Sequence, residues 1–302
     1  MVYKHRLIIR AILCTALVIT WSRSGNAQTQ ELVNKQSGVE NQSSVEISKQ
    51  AANPLASLSL MQFQQNTNRI GLPTNQGNAV QSNLQFQPLL PVSMTDNWNL
   101  ISRPVLQMYN STPYVSPTGQ EKRVTGFGDT VLAFALSPGH ALVGNWLLAA
   151  GPTFILPTAT ETLIGQKKWQ FGPTAAIGYA GQHFLTYVFT QQWFPIGGNG
   201  KKTNQMSTYY SFVYFFSNGW SVGTQPQMLI NWEAPRDERV TFPVGLQVGK
   251  LRKVGLLPVK FDLMVQYYPV HPEVYSPKWN IQLQVTPIVP KLIKRTIFET
   301  RP

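Results

Sequence analysis

Twelve stretches of this 302-residue chain, 138 residues in all, hold four ionisable side chains where the chain-wide 13% would place about 18. The stretches are 58–65, 80–92, 97–109, 125–136, 145–156, 169–179, 184–194, 206–216, 220–232, 240–249, 257–268 and 279–290. The four charges within them are Arg103, Asp129, Lys260 and Asp262. A soluble β-sandwich wets one face of each sheet and decorates it with lysine and glutamate, so it does not show such a depletion. A sheet closed on itself, with lipid outside and a narrow polar interior, does.

Periodicity within the stretches agrees. In 279–286, Trp279, Ile281, Leu283 and Val285 take one face, while Asn280, Gln282, Gln284 and Thr286 take the other. Leu257, Val259, Phe261, Leu263, Val265 and Tyr267 repeat the scheme, as do Val240, Phe242, Val244, Leu246 and Val248. Strict alternation is the mark of a strand whose two faces meet different media. The uncharged run 131–156 invites a helical reading, but Ser137-Pro138-Gly139-His140 cuts it into halves too short to span a bilayer as helices. Two strands and a turn fit better. Prolines inside the stretches are the tension in this pattern, since each removes a ladder donor. Pro152 and Pro173, each in a Gly-Pro-Thr, are predicted to mark matched bulges on neighbouring strands.

The connections alternate in length. Those after odd-numbered stretches are mostly long and polar, as in 110–124, 157–168 and 195–205, and those after even-numbered ones are mostly short, as in 93–96, 180–183 and 217–219. Segments 137–144 and 250–256 break the rule by being long on the short side, and 233–239 by being short on the long side. Twelve strands so joined predict an all-β fold, a transmembrane up-and-down antiparallel β-barrel.

The ends read differently. Lys4, Arg6 and Arg10 precede the apolar run 11–21, and Gly25-Asn26-Ala27 supplies small residues for cleavage, so 1–27 is read as a signal peptide. Its loss removes Cys14, the sole cysteine, and four basic residues, taking the formal charge from +12 to +8. Without a thiol there is no disulfide and no thiolate metal site. Residues 28–54, rich in Gln, Asn and Ser, are expected to be a polar, disordered leader. The barrel is placed at 55–291, and 292–302 is read as a C-terminal tail.

The phrases NPLASLSLMQFQ (53–64), WNLISRPVLQ (98–107), GFGDTVLAFALSP (126–138), GPTFILPTATETLIGQKKWQFGPTAAIGY (151–179) and WNIQLQVTPIVPK (279–291) carry a resemblance across nearly all of 53–291. In this order they resemble an outer-membrane barrel family labelled "meta-pathway of phenol degradation", whose members are described as transporters. The resemblance implies a bacterial outer-membrane location and passage of small solutes, aromatic or hydrophobic ones among them. The alternative is a non-conducting structural or adhesive barrel that acts through its loops.

Candidate site residues follow from the faces. A cation facing lipid at the midplane costs about 2–4 kcal/mol, so Arg103 and Lys260 are expected to point inward with Asp129 and Asp262. Joined by Gln282 and Gln284, they form the predicted pore lining, which either sets selectivity or simply fills a narrow barrel with salt bridges. Pairing Tyr109 with Thr125 would set Arg103 opposite Val131, one diagonal step from Asp129. Three basic pairs at the long-loop end, Lys122-Arg123, Lys167-Lys168 and Lys201-Lys202, are candidates for meeting lipopolysaccharide phosphates in the outer leaflet. Trp98, Trp146, Trp169, Trp193, Trp220, Trp232 and Trp279 lie near strand ends, as interfacial anchors should. His140 and His183 fall in short turns and His271 in a long loop, none with a serine and carboxylate at a catalytic spacing. No enzyme, cofactor, metal or nucleic-acid partner is therefore predicted; the expected partners are membrane lipid, lipopolysaccharide and a small-molecule solute.

Overall fold

The computed structural model describes residues 43–73, 77–292 and 296–297. The strands are β1 (Ser59–Gly71), β2 (Asn78–Thr95), β3 (Trp98–Val115), β4 (Glu121–Phe127 and Thr130–Pro138), β5 (Trp146–Leu156) and β6 (Trp169–Ala180). They continue as β7 (Phe184–Gly197), β8 (Gln205–Phe215), β9 (Trp220–Thr224 and Gln227–Asn231), β10 (Val240–Val254), β11 (Leu257–Val270) and β12 (Pro277–Val289). Each pairs antiparallel with its sequence neighbours, and β1 pairs with β12 from Ser59↔Val289 to Ile70↔Pro277. The sheet therefore has no free edge: it is a closed, up-and-down barrel of twelve strands. Two of the twelve are interrupted, β4 at Gly128-Asp129 and β9 at Gln225-Pro226, the latter where proline supplies no donor.

Burial is inverted relative to a soluble protein. Leu246, Leu283, Ile281 and Ile177 are more than half exposed on the outer face. Gln87, Lys260, Asn66, Asn83, Gln247, Gln266 and Asn280 are buried on the inner one. Along β11 and β12 the outward residues are those of the alternation, Phe261, Leu263, Val265 and Tyr267, then Trp279, Ile281 and Leu283. A closed wall with an apolar exterior and an amide-rich interior pairs its ladder N–H groups internally while offering lipid a hydrocarbon face.

Several connections differ from expectation. Segment 110–124 is mostly strand, because β3 and β4 run on as a hairpin and leave only 116–120 between them. Segment 250–256 shrinks likewise to the two-residue turn Gly255-Leu256, with Gly255 at φ 61°. Both are strands long enough to stand beyond the apolar belt, where polar side chains no longer signal a loop. Pro152 and Pro173 form no bulge; they lie directly opposite each other in a β5–β6 ladder that runs without a shift. Each leaves an acceptor short of a partner but no orphan N–H.

Residues 1–42, which include the expected signal peptide, lie outside the described residues. Of the expected disordered leader, residues 44–52 instead form a helix, α1 (Ser44–Ala52). Its first turn is capped by Ser43, whose hydroxyl accepts from the Glu46 N–H at 3.2 Å, the first half of a Ser-x-x-Glu capping box. Glu46 sits in that first turn and Lys49 in the last, each at the end of the helix dipole that favours its charge. A second helix, α2 (His140–Val143), occupies the β4–β5 turn.

Candidate functional site

The barrel interior is the candidate site, and its deepest polar feature lies on β11. Lys260 and Asp262 are two residues apart, so they share the inward face. Their ammonium and carboxylate pair directly, with side chains only 1% and 5% exposed. Gln247 on β10 donates to the same carboxylate oxygen at 2.7 Å. Gly249, opposite Asp262 in the ladder, makes room for the pair: a Cβ there would stand 2.2 Å from Asp262 Oδ1 and 2.5 Å from Ser221 Oγ. Two charges this buried persist because they neutralise and hydrogen-bond each other.

Further sets of hydrogen-bonded amides line the wall beside this pair. Gln266 donates to Gln282 Oε1 at 3.3 Å, and Gln284 donates to Thr286 Oγ1 at 3.2 Å. Asn280 and Asn66 are joined at 3.2 Å, and Asn66 donates on to Asn83 at 2.9 Å. Gln87 donates to Gln64 and Gln85. These side chains cover the inner faces of β10 to β12 and β1 to β2.

Arg103 projects from β3 across the interior. Its Nη2 donates to Gln87 Oε1, and its guanidinium lies over the rings of Phe189 on β7 and Tyr209 on β8, 5.7 and 5.1 Å from their centroids. Three strands separate β3 from β7, so this cation–π contact bridges the interior and divides it. The two rings were not legible as its partners, because alternation assigns a face but not what stands opposite.

Asp129 does not approach Arg103 as expected. Arg103 pairs with Ala133, and Val105 takes Val131. The displacement arises from the irregularity between Tyr109 and Thr112 and the break in β4. Asp129 instead accepts the Ala159 and Gln166 N–H groups at 3.1 and 2.7 Å, which pins loop 157–168 to the rim.

The basic pairs gather at the long-loop end. Arg123 pairs with Glu121 at 3.0 Å and donates to Val80 O and Ser111 Oγ, while Lys122 is exposed on the same hairpin. Lys168 donates to Gly198 O at 2.7 Å, and Lys202 pairs with Glu233 at 3.1 Å. Lys167, at φ 53°, and Lys201 are exposed beside them.

Six of the seven tryptophans lie partly exposed near strand ends, from 39% for Trp98 to 53% for Trp146. Trp193 does not: it is 5% exposed, points inward and donates from Nε1 to Thr153 Oγ1 at 3.1 Å. An indole whose N–H has an interior acceptor satisfies its polar atom without reaching the interface. His183 stacks on Tyr214, and His271 Nδ1 meets Pro272 O.

The part of the interior that sequence reasoning missed is α1. It lies inside the barrel near the short-turn end, with Val45 and Ala52 packed among Ala135, Ala149, Ala176, Leu185, Val213 and Phe215. Ser44 Oγ donates to Ser217 O at 2.6 Å, Lys49 Nζ to Gly181 O at 3.1 Å, and Gln225 donates to Ala52 O at 3.1 Å. The signal that could have found the helix is Ser43 and Glu46 at capping-box spacing. Beside it a cavity of about 410 Å³ runs along β3 to β6, lined among others by Gln50, Asn53, Asn99, Ile101 and Asn145. At the same end Lys291 donates to Ser93 Oγ at 2.6 Å and to Asn99 Oδ1 at 3.2 Å. Partial burial holds the pKa of that ammonium below the usual lysine value.

No family model and no curated protein matches this chain. Among solved structures it is similar to an outer-membrane channel from Pseudomonas putida F1, with a TM-score of 0.56 at 14% identity, over 76% of this chain and 94% of that one. A Pseudomonas aeruginosa FadL homologue aligns at TM-score 0.37 and 9% identity, over 80% of this chain and 93% of that one. The dimeric outer-membrane phospholipase of Salmonella typhi aligns at 0.36 and 12%, over 83% and 99%. At these identities the fold alone is shared, and the first alignment carries it: the chain has the barrel fold of an outer-membrane channel.

Proposed function

We propose that this chain is a passive channel of the bacterial outer membrane, exported by residues 1–27, that lets small solutes move down their gradients. The observation that carries the reading is the inverted wall: an apolar exterior around an interior lined by Gln, Asn, Lys260 and Asp262. A barrel that only had to sit in lipid would gain more from an apolar filling than from a buried ion pair and a chain of amides. Arg103 narrows the path at mid-depth and α1 narrows it at the short-turn end, with a 410 Å³ cavity beside the helix.

Orientation and partners belong to the same proposal. The long-loop end faces outward, so Lys122, Arg123, Lys167, Lys168, Lys201 and Lys202 stand at the level of lipopolysaccharide phosphates. Arg103, Asp129, Lys260, Asp262, Gln282 and Gln284 are the proposed pore residues. Asp129 acts there by holding loop 157–168 at the rim. Membership of the phenol-degradation barrel family, and aromatic or hydrophobic solutes as cargo, remain part of this reading. The adhesive alternative draws less support, because segment 110–124, its longest expected loop, is a paired hairpin.

Planar-bilayer recording with the purified chain tests the proposal. Stepwise conductance that changes on Arg103→Ala is the expected result. A silent bilayer, together with liposomes impermeable to small sugars and amino acids, would leave the structural barrel as the better account.

A further inference from the structure

Charge inside the barrel is not balanced along its length. Lys260 and Asp262 cancel each other, as do Lys49 and Glu46 on α1, which pair at 2.8 Å. Asp129 is held by two backbone N–H groups at the long-loop rim, four residues along β4 from the partner of Arg103, about 13 Å at strand spacing. Of the cations that no carboxylate meets among the described residues, Lys278 stands at the long-loop end of β12 and two others lie further in. Arg103 rests on the amide oxygen of Gln87, and Lys291 on Ser93 and Asn99.

Both stand against the inner face of β3, Arg103 as one of its residues and Lys291 through Asn99. Asn99, which receives the Lys291 ammonium, lies four residues before Arg103 on β3 and so points the same way. Ile101 stands between them, and Asn99 and Ile101 both line the cavity beside α1. A solute entering past the helix would meet Lys291 first and Arg103 about 13 Å further on. At the second station the guanidinium carbon lies 5.7 and 5.1 Å from the ring centroids of Phe189 and Tyr209, neighbours on one wall, and one N–H is used by Gln87. A guanidinium carries five N–H donors, so donors beyond the one that Gln87 takes are left for a planar carboxylate. Neutral partners matter here: they fix each cation in place without neutralising it, so the field at both stations favours an anion.

We infer that the interior is an anion-selective path, with Lys291 at Asn99 and Arg103 at Gln87 as successive stations for small carboxylates. The inference rests on the channel reading and adds the sign and class of the solute. Two weak stations in series suit conduction, since each binds well enough to attract an anion and loosely enough to release it.

The test is the reversal potential of the full chain in planar bilayers under a potassium chloride gradient, repeated with potassium acetate. The expected result is a reversal potential on the anion side for both salts. Arg103→Ala should remove most of that bias. Gln87→Glu, which sets a carboxylate beside the guanidinium and leaves the barrel's volume unchanged, should do the same. Lys291→Ala, outside the strands, should remove a smaller part. Conductance that prefers cations, or an anion bias that survives all three substitutions, overturns the inference while leaving a channel. Absence of any conductance strikes the channel reading itself and takes this inference with it.

Discussion

The two inner walls of the barrel differ in how much of their length is polar. From β10 through β12 and on to β2, inward positions carry an ion pair and many amides, Gln247, Lys260, Asp262, Gln266, Asn280, Gln282, Asn66, Asn83 and Gln87, with Leu60, Leu89, Met264 and Ile288 among them. From β4 to β8 the inward positions near the short-turn end are small or apolar, Ala135, Ala149, Ala176, Leu185 and Val213, and they turn polar further along, at Thr153, Gln170, Gln191 and Ser207. The outer faces of both halves are equally apolar, so lipid does not explain the contrast. The helix does. An α-helix with its side chains is about 10–12 Å across, and it can lie inside a narrow barrel only where the facing wall keeps its side chains short. Ala135, Ala149 and Ala176 on three neighbouring strands supply that recess, and apolar contact with Val45 and Ala52 holds the helix in it. The amide wall has no such passenger and is left to water and solute.

Removing the passenger should give the largest effect. Deletion of 44–52 leaves the apolar recess lined but unfilled, and single-channel conductance should rise several-fold. An unchanged conductance would mean that α1 does not obstruct the path, and the two walls would then differ for some other reason. Next comes the ion pair of the amide wall. Lys260→Ala leaves Asp262 buried without its cation and should cost about 3–5 kcal/mol, read as a lower temperature of heat-modified gel mobility. Lys260→Met with Asp262→Leu should recover much of that loss, showing that the pair serves the polar path more than stability.

Gly249→Ala probes the same corner more gently. Its methyl group would meet Asp262 Oδ1 and Ser221 Oγ, and the overpacking should cost about 1–3 kcal/mol in the same assay. The smallest effect returns to the helix. Ser43→Ala removes its cap, worth about 1 kcal/mol, and should give brief openings towards the conductance of the deletion, not a permanent change. Openings indistinguishable from the parent chain would show that the wall contacts alone hold α1.

How far the sequence led is uneven for physical reasons. Strand number and faces were legible because lipid penalises every misplaced charge, so Leu283 and Gln284 could not exchange faces without cost. Depth and register were not. Alternation is blind to a break such as Gly128-Asp129, and that break moved Asp129 away from Arg103 and gave it a loop to hold. Trp193 looked like an interface anchor because it lies near a strand end, whereas Thr153 opposite offers its N–H a partner inside. Helix α1 was hidden by composition: nine residues with Ser, Lys, Glu and Gln among them resemble a solvated leader until a recess of the right width is known.

Only residues 53–58 join α1 to the first strand. Six residues reach at most about 20 Å when fully drawn out, so a helix that left its recess would stay within a short leash of the mouth. Its effective concentration there is of millimolar order, whatever the abundance of the protein in the membrane. Any such departure and return would be an event within one molecule, indifferent to dilution, and the time spent docked would depend on how fast the helix leaves and not on a search for its place.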